Sequence, residues 1–112
     1  MTQSPTVTIG KDDPYILYQE GFDAFNNNDY FFAEKKFSEA ELNFEIIEFA
    51  AKSAIMSSYS LYGINFYDQA IENLERYLRK YPADKNVMYA HYLTALVYYD
   101  CLLYTSPSPR DS

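Results

Sequence analysis

The sequence has few of the residues that most often carry chemistry: one histidine, one cysteine and no tryptophan among 112 residues. One histidine and one cysteine do not supply the ligands of a tetrahedral metal site, and a single cysteine excludes an internal disulfide framework. No glycine elbow accompanies a serine, and no acid and base are paired. We therefore predict no catalytic residue, no metal site, no cofactor and no enzymatic activity.

Positive charge is also scarce, because 9 Lys and Arg stand against 16 Asp and Glu, for a formal net charge of -7. A phosphate-binding surface needs the opposite sign, which excludes nucleic acid as a partner and anionic lipid bound through bulk electrostatics. No run of 18 apolar residues is present, so no membrane-spanning helix is predicted. The start, MTQSPTVTIG, has neither the basic residues nor the apolar stretch of a secretory signal, and no targeting signal is predicted.

Aromatic residues are abundant, since 13 Tyr and 8 Phe make up 19% of the chain. Many of them fall on helical stripes, most clearly in residues 65–82. The apolar stripe there consists of Ala70, Leu74, Tyr77, Leu78 and Tyr81. Its spacing of i, i+4, i+7, i+8 and i+11 predicts an amphipathic helix, with Asn65 as its N-cap and Pro82 as its stop.

The sequence repeats with a period of 37 residues. This shift places Tyr30 on Tyr67, and it places Phe25 on Tyr62 and then on Tyr99. The repeat and the apolar stripes together predict five helices, at about residues 15–26, 30–43, 49–62, 65–81 and 86–104. One unit, a pair of helices, is therefore repeated.

Several boundaries are predicted from local signals. Gly63 is the expected C-cap of the third helix. No Gly or Pro separates the second and third helices, and the repeat register alone predicts a break near residues 45–48. Residues 1–14 are predicted to be a flexible leader whose aspartates cap the first helix. Residues 105–112, TSPSPRDS, change composition abruptly, and we predict a disordered, non-native tail.

Helix pairs with a small residue at the eighth position, Ala at the twentieth and Pro near the thirty-second resemble tetratricopeptide repeats. The second repeat has Ser58, Ala70 and Pro82 at these positions, and the first has Gly21 and Ala33. The resemblance implies an all-α, right-handed helical solenoid of two complete helix pairs plus one further helix. The repeats would cover about residues 15–47 and 48–84, with a partial repeat at 85–104.

Two longer stretches, YQEGFDAFNNNDYFFAEKKFSEAE and ENLERYLRKYPADKNVMYAHYLTALVYY, are similar to the N-terminal half of the BamD family. This family comprises lipoprotein subunits of the bacterial outer-membrane protein assembly machine. The resemblance covers roughly residues 15–104. It implies a place on the periplasmic face of the outer membrane, an N-terminal lipid anchor, contact with the barrel-assembly complex and recognition of unfolded barrel proteins. Because the lipid-bearing cysteine and the later repeats of the family are missing from the sequence, we expect a fragment.

In tetratricopeptide folds, one stripe of the first helix in each pair packs internally and another lines a concave groove. Mapped onto this chain, the groove stripe is largely aromatic and predicts a peptide-binding site. We call the following nine the groove residues: Tyr15, Tyr18, Phe22, Phe25, Tyr59, Tyr62, Tyr89, Tyr92 and Tyr99. Stacking between neighbouring repeats could bury many of them. Since the other stripe already meets the needs of helix packing, the pattern favours a surface for a peptide with apolar side chains.

Three further residues receive structural interpretations. His91 occupies the repeat position of Leu17 and Ala54, so we predict that it packs against a partner helix. Cys101 is predicted to be a small buried residue. Glu41, like the other scattered charges, is predicted to lie on a solvated face without a role.

The function we predict is a non-enzymatic binding module acting in outer-membrane protein assembly. The alternative is a generic tetratricopeptide scaffold that joins folded partners.

Overall fold

In the computed structural model of the protein, residues 13–105 are described, and this part of the chain forms five helices and no strand. The helices are α1 (Pro14–Asn26), α2 (Tyr30–Asn43), α3 (Ile47–Gly63), α4 (Tyr67–Lys80) and α5 (Val87–Thr105). Each helix packs on the next along the chain, and α5 also touches α3. The predicted all-α class and the five helices are confirmed, and the right-handed solenoid stays a prediction.

The described region begins within the predicted leader, residues 1–14, and ends at the first residue of the predicted tail, residues 105–112. Residues 1–12 and 106–112 lie outside the described residues. The Oδ1 atom of Asp13 accepts a hydrogen bond from the backbone N–H of Tyr15 at 2.9 Å, so Asp13 caps α1 as predicted. Pro14 is the first residue of α1, a position where the missing N–H costs no helical hydrogen bond.

The turns before α2 and α4 repeat the 37-residue period in their backbone geometry. Asn28 and Asn65 both adopt the left-handed conformation, with φ of 65° and 66°. The hydroxyls of Tyr30 and Tyr67 donate to the Oδ1 atoms of these asparagines, each at 3.0 Å. The prediction that Asn65 caps α4 is wrong, because its side chain accepts this bond and Phe66 takes the N-cap position without a side-chain hydrogen bond.

Gly63 is needed for a different reason from the predicted one. The helix α3 continues through Gly63, and no glycine among the described residues has positive φ, so Gly63 is not a left-handed C-cap. A Cβ atom at this position would lie 2.7 Å from the ring of Tyr30. The missing side chain therefore lets the start of α2 approach the end of α3.

The break between α2 and α3 falls where the repeat register predicted it, although no Gly or Pro marks it. Phe44 is extended, with φ of -72° and ψ of 130°, and α3 begins at Ile47. The Phe44 ring meets the rings of Tyr15 and Phe49 edge-on, with centroid distances of 5.0 and 5.6 Å. These tertiary contacts stabilise the break.

Small residues form much of the core between the helices. The side chains with no exposed surface include Ala33, Phe37, Ala40, Ala51, Ala54, Ala70, Leu74, Tyr77, Ala90 and Val97. Alanine at a helix crossing lets two backbones approach closely, and the larger side chains fill the space beside it. The predicted stripe of α4 accordingly faces the core, with Leu78 half-buried at its edge.

We expect Ala70→Leu to destabilise the fold by about 1 to 3 kcal/mol, because the fully buried Ala70 has no room for added methylenes. Glu72→Leu, at an exposed site on the same helix, is the matched control. The measurement is the free energy of unfolding in urea. Equal stability of the two variants would contradict the assignment of the buried face of α4.

One face of α5 is uncovered within the described residues. His91, Ala95 and Tyr98 are exposed, whereas Leu17 and Ala54, at the positions that match His91, are buried. The prediction that His91 packs against a helix is therefore wrong here, because no described helix covers this face. Cys101, predicted to be buried, is only partly so. No helix within residues 13–105 is both long and apolar enough to cross a membrane.

Candidate peptide-binding groove

The nine groove residues lie on α1, α3 and α5, and none of them belongs to the fully buried core. Those classed as exposed are Tyr15, Phe22, Tyr89, Tyr92 and Tyr99, and those that are half-buried are Tyr18, Phe25, Tyr59 and Tyr62. Tyr92 is the most open, with 62% of its surface exposed. The helices thus hold these rings at the protein surface, where a ligand can reach them.

A ring contact joins α1 and α3 at the middle of this surface, and Tyr89 of α5 lies near it. Phe25 of α1 meets Tyr59 of α3 edge-on, with a centroid distance of 5.3 Å. The ring centroid of Tyr59 in turn lies 6.1 Å from that of Tyr62, and Tyr59 is near enough to Tyr89 on α5 to affect its pKa. Burial raises the pKa of Tyr89, and the neighbouring Tyr59 adds to this rise. The structure therefore brings groove residues from all three helices together.

An apolar cleft of about 180 Å³ lies near the starts of α1 and α3. It is lined by Tyr15, Tyr18, Phe44, Phe49 and Lys52. Sequence reasoning did not place Phe44 and Phe49 in the site. The spacing of Phe44 from Ala33, Phe37 and Ala40 would continue the inward face of α2, but the extended backbone at the break turns the Phe44 ring towards Tyr15.

A second cleft, of about 390 Å³, lies near the end of α3, and we call it the tyrosine cleft. It is lined by Tyr30, Tyr59, Tyr62, Gly63, Asn65, Tyr67 and Asp100. The hydroxyl of Tyr62 donates a hydrogen bond to Oδ2 of Asp100, which connects α3 to α5. This bond, together with burial, raises the pKa of Tyr62 to about 12. The 37-residue pairing of Tyr30 with Tyr67 was the sequence signal that could have indicated both rings.

A buried carboxylate lies between α2 and α4, and it corrects the prediction for Glu41. Only 8% of Glu41 is exposed. Arg76 donates to both of its carboxylate oxygens, at 2.7 and 2.9 Å, and the Tyr81 hydroxyl donates to Oε2 at 2.7 Å. Burial alone would raise the pKa of Glu41, but the bonds from Arg76 and Tyr81 outweigh it and lower the pKa. The sequence contained one signal for this burial, because the 37-residue shift places Glu41 on the apolar Leu78.

The same polar network continues into α3. Arg76 donates to Oδ1 of Asn73 at 2.9 Å. The side-chain amide of Asn73 donates to the Ser58 hydroxyl at 2.8 Å and to the backbone carbonyl of Ala54 at 3.3 Å. Side chains of α2, α3 and α4 are therefore joined by consecutive hydrogen bonds. We call the residues Glu41, Arg76, Tyr81, Asn73 and Ser58 the polar network.

The described residues give no candidate for metal chemistry. Within residues 13–105, no three His, Cys, Asp or Glu side chains are grouped so that they could hold an ion. The serines near the middle of α3 are engaged in structural bonds: the Ser58 hydroxyl donates to the carbonyl of Ala54 at 2.9 Å, and Ser57 donates to Glu34 at 3.3 Å. The surface that remains as a candidate site is the aromatic one.

Five consecutively packed helices with a 37-residue repeat and aromatic rings along alternate helices define a helical-repeat protein of the tetratricopeptide type. The family described as outer membrane lipoprotein, YfiO, matches residues 11–112. The chain belongs to this family. The family match and the relatives described next confirm the resemblance to BamD predicted from the sequence.

Curated relatives carry the name outer membrane protein assembly factor BamD. That of Caulobacter vibrioides is 29% identical over 98 residues, which are 88% of this chain and 32% of the relative. That of Rickettsia prowazekii is 30% identical over 83 residues, 74% of this chain and 33% of the relative. That of Neisseria gonorrhoeae is 32% identical over 84 residues, which are 75% of this chain and 32% of the relative. The chain spans about a third of the length of these relatives, and no solved structure matches it.

Proposed function

We propose that the chain is a non-enzymatic peptide-binding module that takes part in the assembly and insertion of barrel proteins into the bacterial outer membrane. The observation that carries the proposal is the exposure of the groove residues on three helices. Rings that served only the core would be covered, as Phe37 and Tyr77 are. Exposed rings at successive positions suit an extended or helical segment with large apolar side chains.

The proposed partners follow from family membership and from the groove. Unfolded barrel proteins expose apolar side chains before they insert, and these are the groups that aromatic rings bind. The relatives are named as assembly factors, so the barrel-assembly complex is the second proposed partner. We place the module on the periplasmic face of the outer membrane, where a lipid anchor would hold the complete lipoprotein. The formal net charge of -7 does not favour nucleic acid.

A second candidate function is a scaffold that joins folded partners through its other faces. It is favoured by Phe31 of α2, which is 69% exposed although it is a large apolar side chain. Phe31 and Phe66 flank a cleft of about 480 Å³ between α2 and α4. A folded partner could cover these rings without touching the groove.

We expect Tyr62→Ala and Tyr92→Ala each to weaken the binding of peptides with aromatic or other large apolar side chains. Truncating a central aromatic anchor costs about 2 kcal/mol or more, roughly thirtyfold in affinity. Glu75→Ala, at an exposed position on α4, is the matched control and should bind as the parent does. The measurement is calorimetric titration of the peptides against each variant.

Tyr92→Ala keeps this test interpretable, because an exposed ring can be removed with little effect on folding. Thermal unfolding should give the same midpoint for Tyr92→Ala and the parent. Undiminished peptide binding by both tyrosine variants would show that the groove is not the site. The scaffold function would then be the better proposal, and Phe31→Ala would be the next variant to test against folded partners.

A further inference from the structure

The two clefts of the groove differ in chemistry. The apolar cleft is lined by four aromatic residues and by one charged residue, Lys52. The tyrosine cleft presents hydroxyl groups and one carboxylate, that of Asp100. A ligand that fills both clefts must therefore carry an apolar group at one end and a polar group at the other.

The clefts lie at opposite ends of α3. Phe49 lines the first cleft, and Tyr62, which is 13 positions further along α3, lines the second. At 1.5 Å per residue, this corresponds to about 20 Å. An extended peptide advances about 3.3 Å per residue, so roughly six residues reach from one cleft to the other.

Asp100 has no cationic partner within the described part of the chain. The Tyr62 hydroxyl donates to Oδ2, and no ion pair between residues 13 and 105 includes the Asp100 carboxylate. None of the residues lining the tyrosine cleft is a lysine or an arginine. Asp100 is also half-buried, so its charge is less screened than that of a fully exposed carboxylate.

We infer that the tyrosine cleft binds a cationic side chain, arginine or lysine, of a peptide whose large apolar side chain occupies the apolar cleft about six residues away. This inference rests on the proposed function, because it requires that the groove binds a peptide. The Asp100 carboxylate attracts the positive charge. Tyr59 and Tyr62 line the same space, and their aromatic rings add cation–π attraction. A guanidinium group fits best, since it can bond a carboxylate and stack on a ring at once.

The test uses three synthetic peptides that share one phenylalanine and differ in the residue six positions away. That residue is arginine in the first, norleucine in the second and glutamate in the third, and the other positions are serine and glycine. We expect the arginine peptide to bind the chain about tenfold more tightly than the glutamate peptide, with the norleucine peptide between them. A fourth peptide with arginine two residues from phenylalanine should lose this advantage, because it cannot span the clefts.

Asp100→Asn is the decisive variant, because asparagine keeps an acceptor for the Tyr62 hydroxyl while removing the charge. In Asp100→Asn, the arginine peptide should lose most of its advantage over the glutamate peptide, and only the weaker cation–π contribution of Tyr59 and Tyr62 should remain. Glu75→Gln, which removes an exposed charge from α4, should leave the preference for arginine unchanged. Equal thermal midpoints for the parent and Asp100→Asn would show that folding is retained.

The outcomes separate this inference from the function on which it rests. If none of the peptides binds the parent chain, the proposed function itself fails. If the peptides bind and lose affinity in Tyr92→Ala, but arginine and glutamate peptides bind equally, the groove is retained and the inference is overturned. A preference for arginine over glutamate that is as large in Asp100→Asn as in the parent would likewise overturn the assignment of the cationic site to Asp100.

Discussion

Replacing Arg76 with alanine is expected to lower the free energy of unfolding by about 3 kcal/mol, because the buried carboxylate of Glu41 then loses its main partner. Removing one member of a buried ion pair costs about 3 to 5 kcal/mol. The lower value applies here, since 38% of the Arg76 side chain is exposed and water can partly replace it. The Tyr81 hydroxyl and the more distant Lys80 remain as weaker partners. Urea unfolding of parent and variant measures the difference.

Two variants test the reason for this loss. Arg79→Ala removes an exposed basic residue from the same helix and should change the free energy of unfolding by less than about 0.5 kcal/mol. The double variant Glu41→Leu, Arg76→Leu removes both charges, and it should recover much of the stability lost in Arg76→Ala. Leucine suits the buried site because Leu78 occupies the matching position of the second repeat. A double variant as unstable as Arg76→Ala would contradict the role given to the unpaired carboxylate.

The ion pair also predicts a pH dependence with a definite sign. The pKa of Glu41 is lowered on folding, so the folded state favours the ionised carboxylate. Its contribution is therefore fully present above the ordinary glutamate value of 4.5 and is lost as the pH falls through the lowered pKa of the folded state. The stability difference between the parent and Glu41→Gln should shrink over this acid range. A difference that stays constant below pH 4.5 would contradict the pairing.

The fold was predictable because the pattern of the helix pair recurs in the sequence with a period of 37 residues. The helix ends agree with the predicted ones to within two residues, even at the break after Asn43, where no Gly or Pro helps. The predicted cap roles of Asn65 and Gly63 were wrong for the same reason. Asparagine and glycine can each serve several structural roles near a helix end, and a tertiary contact with a tyrosine determines the role here. Tyr67 bonds to Asn65, and Tyr30 lies against Gly63.

The site was predictable only in part. The period places the groove residues on alternate helices, and that needs no tertiary information. The Tyr62–Asp100 bond joins residues 38 positions apart, and the bond between Tyr81 and Glu41 joins residues 40 apart. Neither pair matches under the 37-residue shift, so the repeat could not indicate them. That the groove binds a peptide stays a prediction.

The fully buried Phe37 connects the core to the groove, and Phe37→Ala is expected to lower the free energy of unfolding by about 3 to 5 kcal/mol. Its ring lies in the space left by Gly21, where a Cβ atom would be 3.0 Å away. On the other side, the ring of Tyr18 meets it edge-on at 5.2 Å. Removing the Phe37 ring leaves a cavity between α1 and α2. It also removes the ring against which the groove residue Tyr18 packs. Urea unfolding gives the size of the loss.

Phe31→Ala is the matched control on the same helix, because Phe31 is largely exposed and its removal leaves no cavity. We expect a change below about 0.5 kcal/mol. If Phe37→Ala does not fold, Phe37→Leu keeps most of the volume and should lose about 1.5 kcal/mol or less. Because Tyr18 rests on Phe37, Phe37→Leu should also weaken peptide binding more than Phe31→Ala does. Equal effects of Phe37→Leu and Phe31→Ala on both stability and binding would mean that α2 turns a different face to α1, and the groove would then lack the support described here.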